Sequence, residues 1–400
     1  MPKKTIASVD VSGKRVLIRV DFNVPIESGR ITDDRRIASA LPTIRSVTER
    51  GGRAILMSHL GRPEGKGFEP GDSLKPAAER LTQLLGKPVA FPSNDCTDAA
   101  AASAVAAMKN GDVLLLENLR FHKAEKKGDP AFAAKLAAYG DVYVNDAFGT
   151  SHRPDASMVA VPTAMSGRPR VSGLLLEKEI KFLSESLANP ARPFIVVLGG
   201  AKVSDKIACI ENLLPKADAV IIGGAMAYTF LSEMGRAVGK SRVESDKRAE
   251  ARKILDLAAS LGKQVHLPTD HAAADDFENP GRVQVMVGDI QEGFMGLDIG
   301  PATQAAFASL LSKARTIVWN GPMGVFERDQ FAAGTKAVAK ALASACAAGA
   351  TGIVGGGDSA AAIEKFGLAE KVTHVSTGGG ASLEMLEGKK FESVELLDNA

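Results

Sequence analysis

The sequence is poor in the residues that mark secreted, zinc-finger or membrane proteins. Its three cysteines, Cys96, Cys209 and Cys346, are odd in number and far apart, which excludes a disulfide framework and a paired-cysteine zinc site and suits a reducing compartment. The longest uncharged stretch, residues 341–357, is broken by glycines and is shorter than the ~20 apolar residues of a membrane span. The first ten residues are polar and do not resemble a signal segment. We therefore expect a cytoplasmic protein that does not contact a membrane.

Tyrosine and tryptophan are also scarce, and neither sign of charge is in large excess. Three tyrosines and one tryptophan offer few platforms for stacking bases, and the formal net charge is only +2. The charge is unevenly spread, because residues 1–172 carry 25 Lys and Arg against 19 Asp and Glu, while the remainder is acidic. The positive excess of residues 1–172 is too small for a nucleic-acid platform but suits a local pocket for a small anion.

Length and composition favour a globular protein of two domains. Hydrophobic residues make up 45% of the chain and charged residues 24%, which excludes bulk disorder, and a single core stops growing beyond roughly 250–300 residues. A helical pattern at residues 173–186 is followed by Pro190 and Pro193, which end a helix and begin the next strand. We predict domains at 1–172 and 194–388, joined by a helix and hinge at 173–193. The alternative is an ordinary loop within one large domain.

Apolar runs alternate with helical patterns along the whole chain. The predicted strands are continuous and aliphatic, at residues 16–22, 54–58, 113–117, 142–145, 194–198, 219–222, 316–319 and 353–354. The predicted helices between them are amphipathic or alanine-rich, at residues 75–85, 131–139, 247–261 and 335–348. Continuous apolar strands separated by helices indicate βαβ units, in which helices cover both faces of a parallel sheet. The sequence therefore predicts an α/β fold with two doubly wound, Rossmann-like parallel-sheet domains.

In the first half, basic and polar side chains follow the predicted strands. Ligands of open parallel sheets bind outside the carboxyl ends of the strands, so the residues directly after each strand matter most. These positions hold Asp21, Phe22, Asn23, Arg36, His59, Leu60, Gly61, Arg62, Arg120, His152 and Arg153. Fork-shaped guanidinium groups suit phosphate and carboxylate. A lone arginine after a strand is usually a solvated charge, but recurrence at four strand ends predicts an oxyanion pocket.

In the second half, glycines follow the predicted strands. They lie at residues 199–200, 223–224, 321–324, 355–357 and 378–380. Glycine lets the backbone approach a ligand closely, and a helix that starts there presents free N–H groups to phosphate. Any one of these could be a simple turn, but five at consecutive strand ends predict a nucleotide site. Asp358, directly after a glycine triplet, is either a helix N-cap or a Mg²⁺ ligand beside phosphates.

Several familiar motifs are incomplete or missing. Residues 235–241 (GRAVGKS) resemble a P-loop but have three residues between the glycines where four are required. The sequence contains no GxGxxG fingerprint, which argues against a dehydrogenase, and no Gly-x-Ser-x-Gly elbow or HExxH pattern.

The motifs that are present resemble those of the phosphoglycerate kinase family, and the resemblance runs nearly from end to end. In the first half it rests on residues 19–25 (RVDFNVP), 58–63 (SHLGRP), 117–121 (ENLRF) and 146–149 (DAFG). In the second half it rests on residues 199–206 (GGAKVSDK), 319–327 (WNGPMGVFE) and 355–359 (GGGDS). Two departures are visible. Ser359 stands where the family commonly has threonine, and Pro154 with Asp155 is unusual beside the basic residues.

The resemblance implies a glycolytic kinase that transfers a phosphoryl group reversibly between 1,3-bisphosphoglycerate and MgADP, giving 3-phosphoglycerate and MgATP. It implies a 3-phosphoglycerate site that uses Asp21, Phe22, Asn23, Arg36, His59, Leu60, Gly61, Arg62, Arg120 and Arg153. It implies a nucleotide site that uses Gly200, Ala201, Lys206, Gly224, Gly296, Pro322, Glu327, Gly356, Gly357, Asp358 and Ser359, with Asp358 as the metal ligand. The family pattern also suggests a monomer whose residues 389–400 pack back on the first domain.

Catalysis of this transfer requires alignment and charge neutralisation rather than a general base, because both nucleophilic oxygens are already ionised near pH 7. We expect Lys202 and Arg36 to stabilise the transferred group and Lys206 to hold the nucleotide phosphates. The two lysines would share one helical face if a helix began directly after the glycine pair; the alternative is a solvated lysine pair. The alternative functions are a non-catalytic nucleotide- or anion-binding protein of the same fold and a Rossmann-type dehydrogenase. Closure of the two halves over different ligands is also expected, because it excludes water.

Overall fold

The computed structural model describes residues 2–400, and the chain divides into two compact units. The first unit takes in the chain up to Lys181 together with Lys390–Ala400, and the second unit is Phe182–Lys389. Each unit is built on its own six-stranded parallel sheet. The prediction of an α/β fold with two parallel sheets is therefore confirmed. Among these residues, no helix is long and apolar enough to cross a membrane.

Aliphatic strands form the centre of the first unit. They are β1 (Arg15–Val20), β2 (Ile26–Glu27), β3 (Arg30–Ile31), β4 (Arg53–Met57), β5 (Val89–Ala90), β6 (Val113–Leu115), β7 (Val142–Asp146) and β8 (Arg170–Ser172). Apart from the β2–β3 hairpin they form one parallel sheet, in the order β5-β6-β4-β1-β7-β8. Val16, Ile18 and Val20 alternate along β1 and join the aliphatic core. The continuous burial of the central strands explains why their sequences are apolar throughout.

Helices cover the sheet of the first unit. They are α1 (Arg35–Thr48), α2 (Lys75–Leu85), α3 (Ala99–Ala107), α4 (Lys123–Lys126), α5 (Pro130–Ala137), α6 (Ala160–Ala164) and α7 (Leu174–Ile180). Asp98 begins α3 by accepting the N–H of Ala101, and Asp129 begins α5 by accepting the N–H of Phe132. Such caps satisfy N–H donors that the first turn of a helix leaves unpaired.

The segment Lys390–Ala400 belongs to the first unit, although residues 182–389 precede it in the chain. The N–H of Lys4 donates to the carbonyl of Asp398 at 2.8 Å, and the N–H of Asp398 donates to the carbonyl of Arg170 at 2.7 Å. The Asp398 carboxylate also pairs with the Arg170 guanidinium at 3.3 Å. The returning segment is thus joined to strand β8 and to the beginning of the chain.

The chain passes from the first unit to the second through a helical segment that is not one regular α-helix. A π-helical turn, Lys181–Glu185, follows α7, and α8 (Ser186–Ala188) follows the turn. The sequence predicts a helix over residues 173–186, but its pattern of apolar residues does not predict the π-helical turn. The division between the units falls at the start of this turn, while the hinge at 173–193 stays a prediction.

The carboxylate of Asp146, at the end of β7, receives the N-terminus of α7. Its Oδ1 accepts the N–H groups of Leu175 and Leu176 at 2.9 and 3.2 Å. A Cβ on Gly173 would lie 2.1 Å from this oxygen, so the close approach requires glycine. Burial raises the pKa of Asp146 from 3.8 to about 7, because the loss of hydration outweighs the hydrogen bonds that favour the charged form.

We expect Asp146→Asn to gain stability relative to the wild type as the pH rises. Because the folded-state pKa lies above the ordinary 3.8, the stabilising contribution of Asp146 is full below pH 3.8 and is lost as the pH rises through about 7. The amide does not titrate, and a shift of about three units corresponds to roughly 4 kcal/mol. Melting temperatures of both proteins from about pH 4 to about pH 8 measure the change. A difference in melting temperature that does not depend on pH would contradict this prediction.

Asp141→Asn is the matched control for this titration. Burial of Asp141 is outweighed by hydrogen bonds and an ion pair with Arg15, which hold the pKa of Asp141 below its ordinary value. Its stabilising contribution is therefore lost as the pH falls. The difference between this variant and the wild type should change with pH in the opposite direction.

The second unit has its own parallel sheet and a smaller antiparallel one. Its strands are β9 (Phe194–Leu198), β10 (Ala219–Ile222), β11 (Gln264–His266), β12 (Asp270–Ala274), β13 (Val283–Val287), β14 (Met295–Ile299), β15 (Thr316–Asn320), β16 (Thr351–Gly355) and β17 (His374–Val375). The parallel sheet has the order β11-β10-β9-β15-β16-β17, and the antiparallel sheet has the order β13-β12-β14. The sequence does not predict the antiparallel sheet.

The remaining helices cover the parallel sheet of the second unit, apart from a short one in the returning segment. They are α9 (Ile207–Leu213), α10 (Ala227–Glu233), α11 (Arg248–Ser260), α12 (Pro301–Leu311), α13 (Ala333–Ala347), α14 (Gly357–Lys365), α15 (Gly380–Leu386) and α16 (Glu392–Glu395). Trp319 on β15 and Phe307 on α12 are buried together in the core of this unit. Asp270 receives the N-terminus of α12, accepting the N–H of Thr303 at 2.8 Å.

Candidate functional site

Four neighbouring strands of the first unit carry the predicted anion-site residues at their carboxyl ends. The strands are adjacent in the sheet, in the order β6-β4-β1-β7. They are followed by Arg120 after β6, by His59, Leu60, Gly61 and Arg62 after β4, by Asp21, Phe22 and Asn23 after β1, and by Arg153 after β7. The parallel arrangement therefore brings these residues to one edge of the sheet, as predicted from the sequence.

Arg36 lies in the first turn of α1 rather than directly after a strand. Its Nη1 lies 3.2 Å from Oδ2 of Asp21 and donates to the carbonyl of Asn23 at 3.0 Å. The Oδ1 of Asn23 in turn accepts the N–H of Gly61 at 2.9 Å. These bonds hold the guanidinium at the ends of β1 and β4, while 34% of the Arg36 side chain stays exposed and can meet a ligand.

His59 is a neutral group among cations. Its ring is buried, and its Nδ1 lies 3.2 Å from Nη2 of Arg19. Burial, followed by the charges of Arg19, Arg120 and Arg153, holds the pKa of His59 well below its ordinary value. The imidazole therefore contributes a hydrogen bond to this edge rather than a charge.

Arg19 belongs to this cluster, although it was not among the residues predicted to bind a ligand. It is fully buried in β1, and its Nε donates to Oγ of Ser157 at 2.8 Å. The hydroxyl of Ser157 in turn donates to Oε1 of Glu125 at 2.5 Å, so the cation is linked to a buried carboxylate through one hydroxyl group. An arginine inside an otherwise apolar strand is the signal that could have identified it, because such a charge needs a partner.

Arg120 is almost completely buried and is only partly satisfied. Its Nη1 donates to the carbonyl of Gly61 at 3.0 Å, and its Nη2 lies 3.5 Å from Oδ2 of Asp155. At that distance the pair interacts as charges but not as a hydrogen bond, and the buried Nε and Nη2 have no hydrogen-bond partner. A bound anion would supply acceptors for these two buried donors.

The turn after β4 is fixed by a second side chain that sequence reasoning missed. Asn118 accepts the N–H of Arg120 at 3.0 Å and donates from its Nδ2 to the carbonyl of Leu60 at 2.7 Å. Gly61 has φ +62°, and a Cβ there would lie 2.1 Å from Oδ1 of Asp72. The sequence signal for Asn118 is its place in the motif at residues 117–121 (ENLRF). Arg62 is exposed on this turn.

In the second unit, the glycine-rich turns follow four neighbouring strands, in the order β10-β9-β15-β16. Gly200 donates its N–H to the carbonyl of Pro322 at 3.0 Å, and Gly224 donates to Met323 at 3.1 Å. A Cβ on Gly199 would lie 2.1 Å from the Pro322 oxygen. Only glycine permits this contact between turns, which leaves backbone rather than side chains at the carboxyl edge of the sheet.

The two lysines after β9 occupy different environments. Helix α9 begins at Ile207, so the expectation that Lys202 and Lys206 share a helical face is wrong. The segment before the helix is occupied by a series of turns instead. Lys202 is exposed, whereas Lys206 is largely buried and donates to Oδ1 of Asn320. Burial lowers the pKa of Lys206, partly offset by nearby charges that include Asp358.

Asp358 is not the N-cap residue of α14. The helix begins at Gly357, and the N-cap position is held by Gly356 with φ +86°. The N-cap interpretation of Asp358 is therefore wrong, and its carboxylate lies exposed in the first turn of the helix. Ser359 is fully buried, and its Oγ accepts the N–H of Gly321 at 2.5 Å. The hydroxyl group at 359 thus ties α14 to the turn after β15.

The other predicted nucleotide residues lie at differing places in the second unit. Gly296 is the second residue of β14, and its N–H donates to Oγ of Ser241 at 2.9 Å. A Cβ on Gly296 would lie 1.8 Å from the hydroxyl oxygen of Tyr228. Ala201 is exposed beside Gly200. Glu327 is also exposed, and its carbonyl accepts from Nζ of Lys365 at 3.3 Å.

Comparison with known proteins identifies a family over nearly the whole chain. The sequence profile of the phosphoglycerate kinase family matches residues 6–389. A phosphoglycerate kinase of Rhodopirellula baltica is 55% identical and one of Chloroherpeton thalassium is 53% identical, each aligned over 100% of both chains. The solved structure of phosphoglycerate kinase from Coxiella burnetii has a TM-score of 0.89 at 40% identity, covering 99% of this chain and 98% of the other. That from Pyrococcus horikoshii has a TM-score of 0.83 at 34% identity, covering 98% of each.

Proposed function

This chain belongs to the phosphoglycerate kinase family, and we propose that the basic edge of its first unit binds 3-phosphoglycerate while the glycine turns of its second unit bind the nucleotide. The chain is a kinase that transfers a phosphoryl group to the carboxyl of 3-phosphoglycerate, with ADP and ATP as co-substrates. The expectation of this activity is confirmed, and the alternative of a dehydrogenase is wrong. The alternative of a non-catalytic binding protein gains no support from these relatives.

The observation that carries the site proposal is the pair of unsatisfied donors on buried Arg120. Water or protein normally supplies acceptors to buried N–H groups, and the surrounding Arg19, Arg36 and Arg153 make an anion the favoured acceptor here. A phosphate ester with a carboxylate, as in 3-phosphoglycerate, offers acceptors for several guanidinium groups at once. Arg62 would extend the site along its exposed side.

A coupled assay with 3-phosphoglycerate and MgATP tests the activity, and calorimetry tests the two binding assignments separately. Arg120→Ala should lose affinity for 3-phosphoglycerate and keep its affinity for MgADP, whereas Lys206→Ala should do the reverse. An Arg120→Ala variant that binds 3-phosphoglycerate normally would contradict the site proposal and leave the family assignment intact.

The proposed mechanism uses the chain to align and neutralise rather than to move protons. The attacking carboxylate or ADP oxygen is already ionised near pH 7, so catalysis depends on positioning and on cations directed at the transferred group. We assign Arg36 to this role on the 3-phosphoglycerate side and Lys202 on the nucleotide side. The neutral His59 would donate one hydrogen bond to the substrate without adding to the positive charge.

The second unit also contains residues that suit a nucleotide-bound Mg²⁺. Mg²⁺ takes oxygen ligands and is usually held by one or two carboxylates together with substrate phosphates. Asp358 offers an exposed carboxylate in the first turn of α14, beside the N–H group of Gly357 that would receive phosphate. The N–H of Gly356 already donates to Oγ of Ser382 at 3.0 Å. When bound, the ion would neutralise phosphate charge. Asp358 would hold it, while Lys206 would hold the phosphates themselves.

Asp358→Asn is expected to raise the Mg²⁺ concentration needed for half-maximal rate by roughly tenfold or more, because a neutral amide is a weaker ligand for a hard cation. Affinity for 3-phosphoglycerate should not change. Titration of Mg²⁺ at saturating substrates measures the effect, and Asp256→Asn, an exposed carboxylate on α11, is the control. An unchanged metal dependence would show that Asp358 serves only the electrostatics of the helix terminus.

Asp155→Asn is expected to lower KM for 3-phosphoglycerate by roughly threefold to tenfold, since the Asp155 carboxylate competes with the substrate for Arg120. One negative charge 3.5 Å from the guanidinium is worth a few kcal/mol at an effective dielectric constant of about 20, part of which hydration offsets. The variant should also melt at a lower temperature, because Arg120 loses its buried partner. Steady-state kinetics measure both KM values, and the nucleotide KM serves as the internal control. A raised KM for 3-phosphoglycerate would show instead that Asp155 orients Arg120.

We propose that the enzyme is cytoplasmic, because its three cysteines are free, and that it is a monomer, as the family pattern suggests. Sedimentation of the purified chain at two concentrations tests the monomeric state.

A further inference from the structure

A cluster of three different metal-ligating side chains lies in the first unit, outside the proposed substrate site. Asp95 and Cys96 are in the loop between β5 and α3, and His122 directly precedes α4. One ligand atom from each lies within 4.8 Å of the other two. Nε2 of His122 lies 3.2 Å from Oδ1 of Asp95. Two separate stretches of the chain therefore bring a sulfur, a nitrogen and an oxygen to one point.

The three side chains are fixed in place and reachable from one side. Oδ1 of Asp95 accepts the N–H of Thr97 at 2.7 Å and its hydroxyl at 3.0 Å. The ring of His122 packs against that of Phe132 with 5.0 Å between centroids. Cys96 is 1% exposed, whereas the side chains of His122 and Asp95 are 28% and 41% exposed. An ion could enter past the partly exposed pair and reach the sulfur behind them.

We propose that Asp95, Cys96 and His122 bind one divalent ion of the Zn²⁺ class, with water in the fourth position. Zn²⁺ takes thiolate, imidazole and carboxylate ligands at about 2.0–2.3 Å in a tetrahedral arrangement. Donor atoms of such a site lie roughly 3–4 Å apart, which small side-chain rotations reach from the observed spread. Sulfur and imidazole donors favour Zn²⁺ or Co²⁺ over Mg²⁺, which takes oxygen ligands. The site is therefore chemically distinct from the Mg²⁺ requirement of a kinase.

Binding of the ion replaces the S–H bond of Cys96 and the contact between His122 and Asp95 with three bonds to the ion. The Cys96 thiol becomes a thiolate and releases its proton to solvent, since the thiolate is the ligand. The contact between His122 and Asp95 opens, and each then contributes one atom to the ion. No oxidant or further reactant is needed. The ion would join the loop after β5 to the segment between β6 and α4, and so stabilise the first unit.

Titration of the full chain with Co²⁺ in excess Mg²⁺ tests the proposal. We expect one Co²⁺ per chain, with a near-ultraviolet charge-transfer band from the thiolate and the intense visible bands of four-coordinate cobalt, both removed by Zn²⁺. His122→Asn should weaken binding by more than the roughly 10–100-fold that loss of an outer partner costs. Cys96→Ser should abolish the charge-transfer band, and Cys346→Ser, at a half-buried cysteine elsewhere, should keep it.

Thermal denaturation distinguishes loss of the metal site from a folding defect in the variants. Zn²⁺ should raise the melting temperature of the wild type and of Cys346→Ser but not that of His122→Asn. Each variant should keep its kinase rate with Mg²⁺ alone, which reports the fold directly. A wild type without the charge-transfer band, or a band that survives in Cys96→Ser, would overturn the proposal.

Discussion

Arg36→Ala is expected to lower kcat by about 10²–10³-fold, or roughly 3–4 kcal/mol, and to change either KM far less. A cation directed at the transferred phosphoryl group gains most as charge redistributes in the transition state. The contacts of Arg36 with Asp21 and Asn23 hold the guanidinium in position before substrate arrives, so no reorganisation is needed during the reaction.

Arg35→Ala is the matched control for that change. Arg35 is the neighbouring residue of the same type, but its Nε donates to the Asp33 carboxylate at the surface at 2.9 Å. Its removal should leave kcat within about twofold, as for most exposed substitutions. If Arg36→Ala keeps kcat and only raises KM for 3-phosphoglycerate, the guanidinium binds the ground state and is not catalytic.

Lys202→Ala is expected to cause a loss of similar size, about 10²–10³-fold in kcat, with little change in nucleotide KM. Lys206→Ala should instead raise nucleotide KM, since its Nζ is already held by Asn320 among the glycine turns. We expect this contrast because the exposed Lys202 side chain can move with the transferred phosphoryl group, whereas the largely buried Lys206 side chain cannot.

Steady-state kinetics of the two lysine variants, expressed as free energies, distinguish the roles. Lys253→Ala, an exposed lysine on α11, controls for the general loss of a surface charge. Near-normal kcat in Lys202→Ala together with a raised nucleotide KM would mean that the two assignments are reversed.

Most of the parallel framework could be predicted from the sequence, because fully buried strands need continuous aliphatic runs. The predicted strand at 194–198 and the predicted helix at 75–85 agree with β9 and α2. The predicted strand at 219–222 also agrees with β10. The other predicted strands differ by one or two residues at an end, as for 113–117 against β6. The edge that holds the candidate sites was predictable for the same reason, since parallel strands place the residues after them together.

The edge strand β13 of the antiparallel sheet could not be predicted from burial, because it is largely exposed, whereas β12 and β14 are mostly buried. Val283, Val285 and Val287 alternate along the edge strand β13, yet they are 46%, 54% and 82% exposed. Alternating apolar residues normally indicate a face turned to the core. Here the inward position is Met286, and the valines reflect the preference of β-branched residues for extended backbone.

Side-chain environment was the other limit on prediction. The sequence places Lys202 and Lys206 four residues apart, but only the turn geometry before Ile207 shows that one is exposed and the other buried. Arg19 and Asn118 lie inside the motifs that suggested the family, yet their roles depend on partners distant in the chain, such as Ser157. An arginine in an apolar strand indicates that a partner exists, but the local sequence does not identify a partner that is distant in the chain.

Because Lys390–Ala400 completes the first unit, translation finishes the second unit before the first. Roughly 200 residues leave the ribosome between the two parts of the first unit, which takes about 10–40 s at about 5–20 residues per second. Throughout that interval the nascent chain lacks the bonds of Asp398 with Lys4 and Arg170, and the edge at β8 stays partly unpaired. Unpaired strand edges invite association with other chains. The first unit is therefore open to such association until Lys390–Ala400 has emerged and bonded to it.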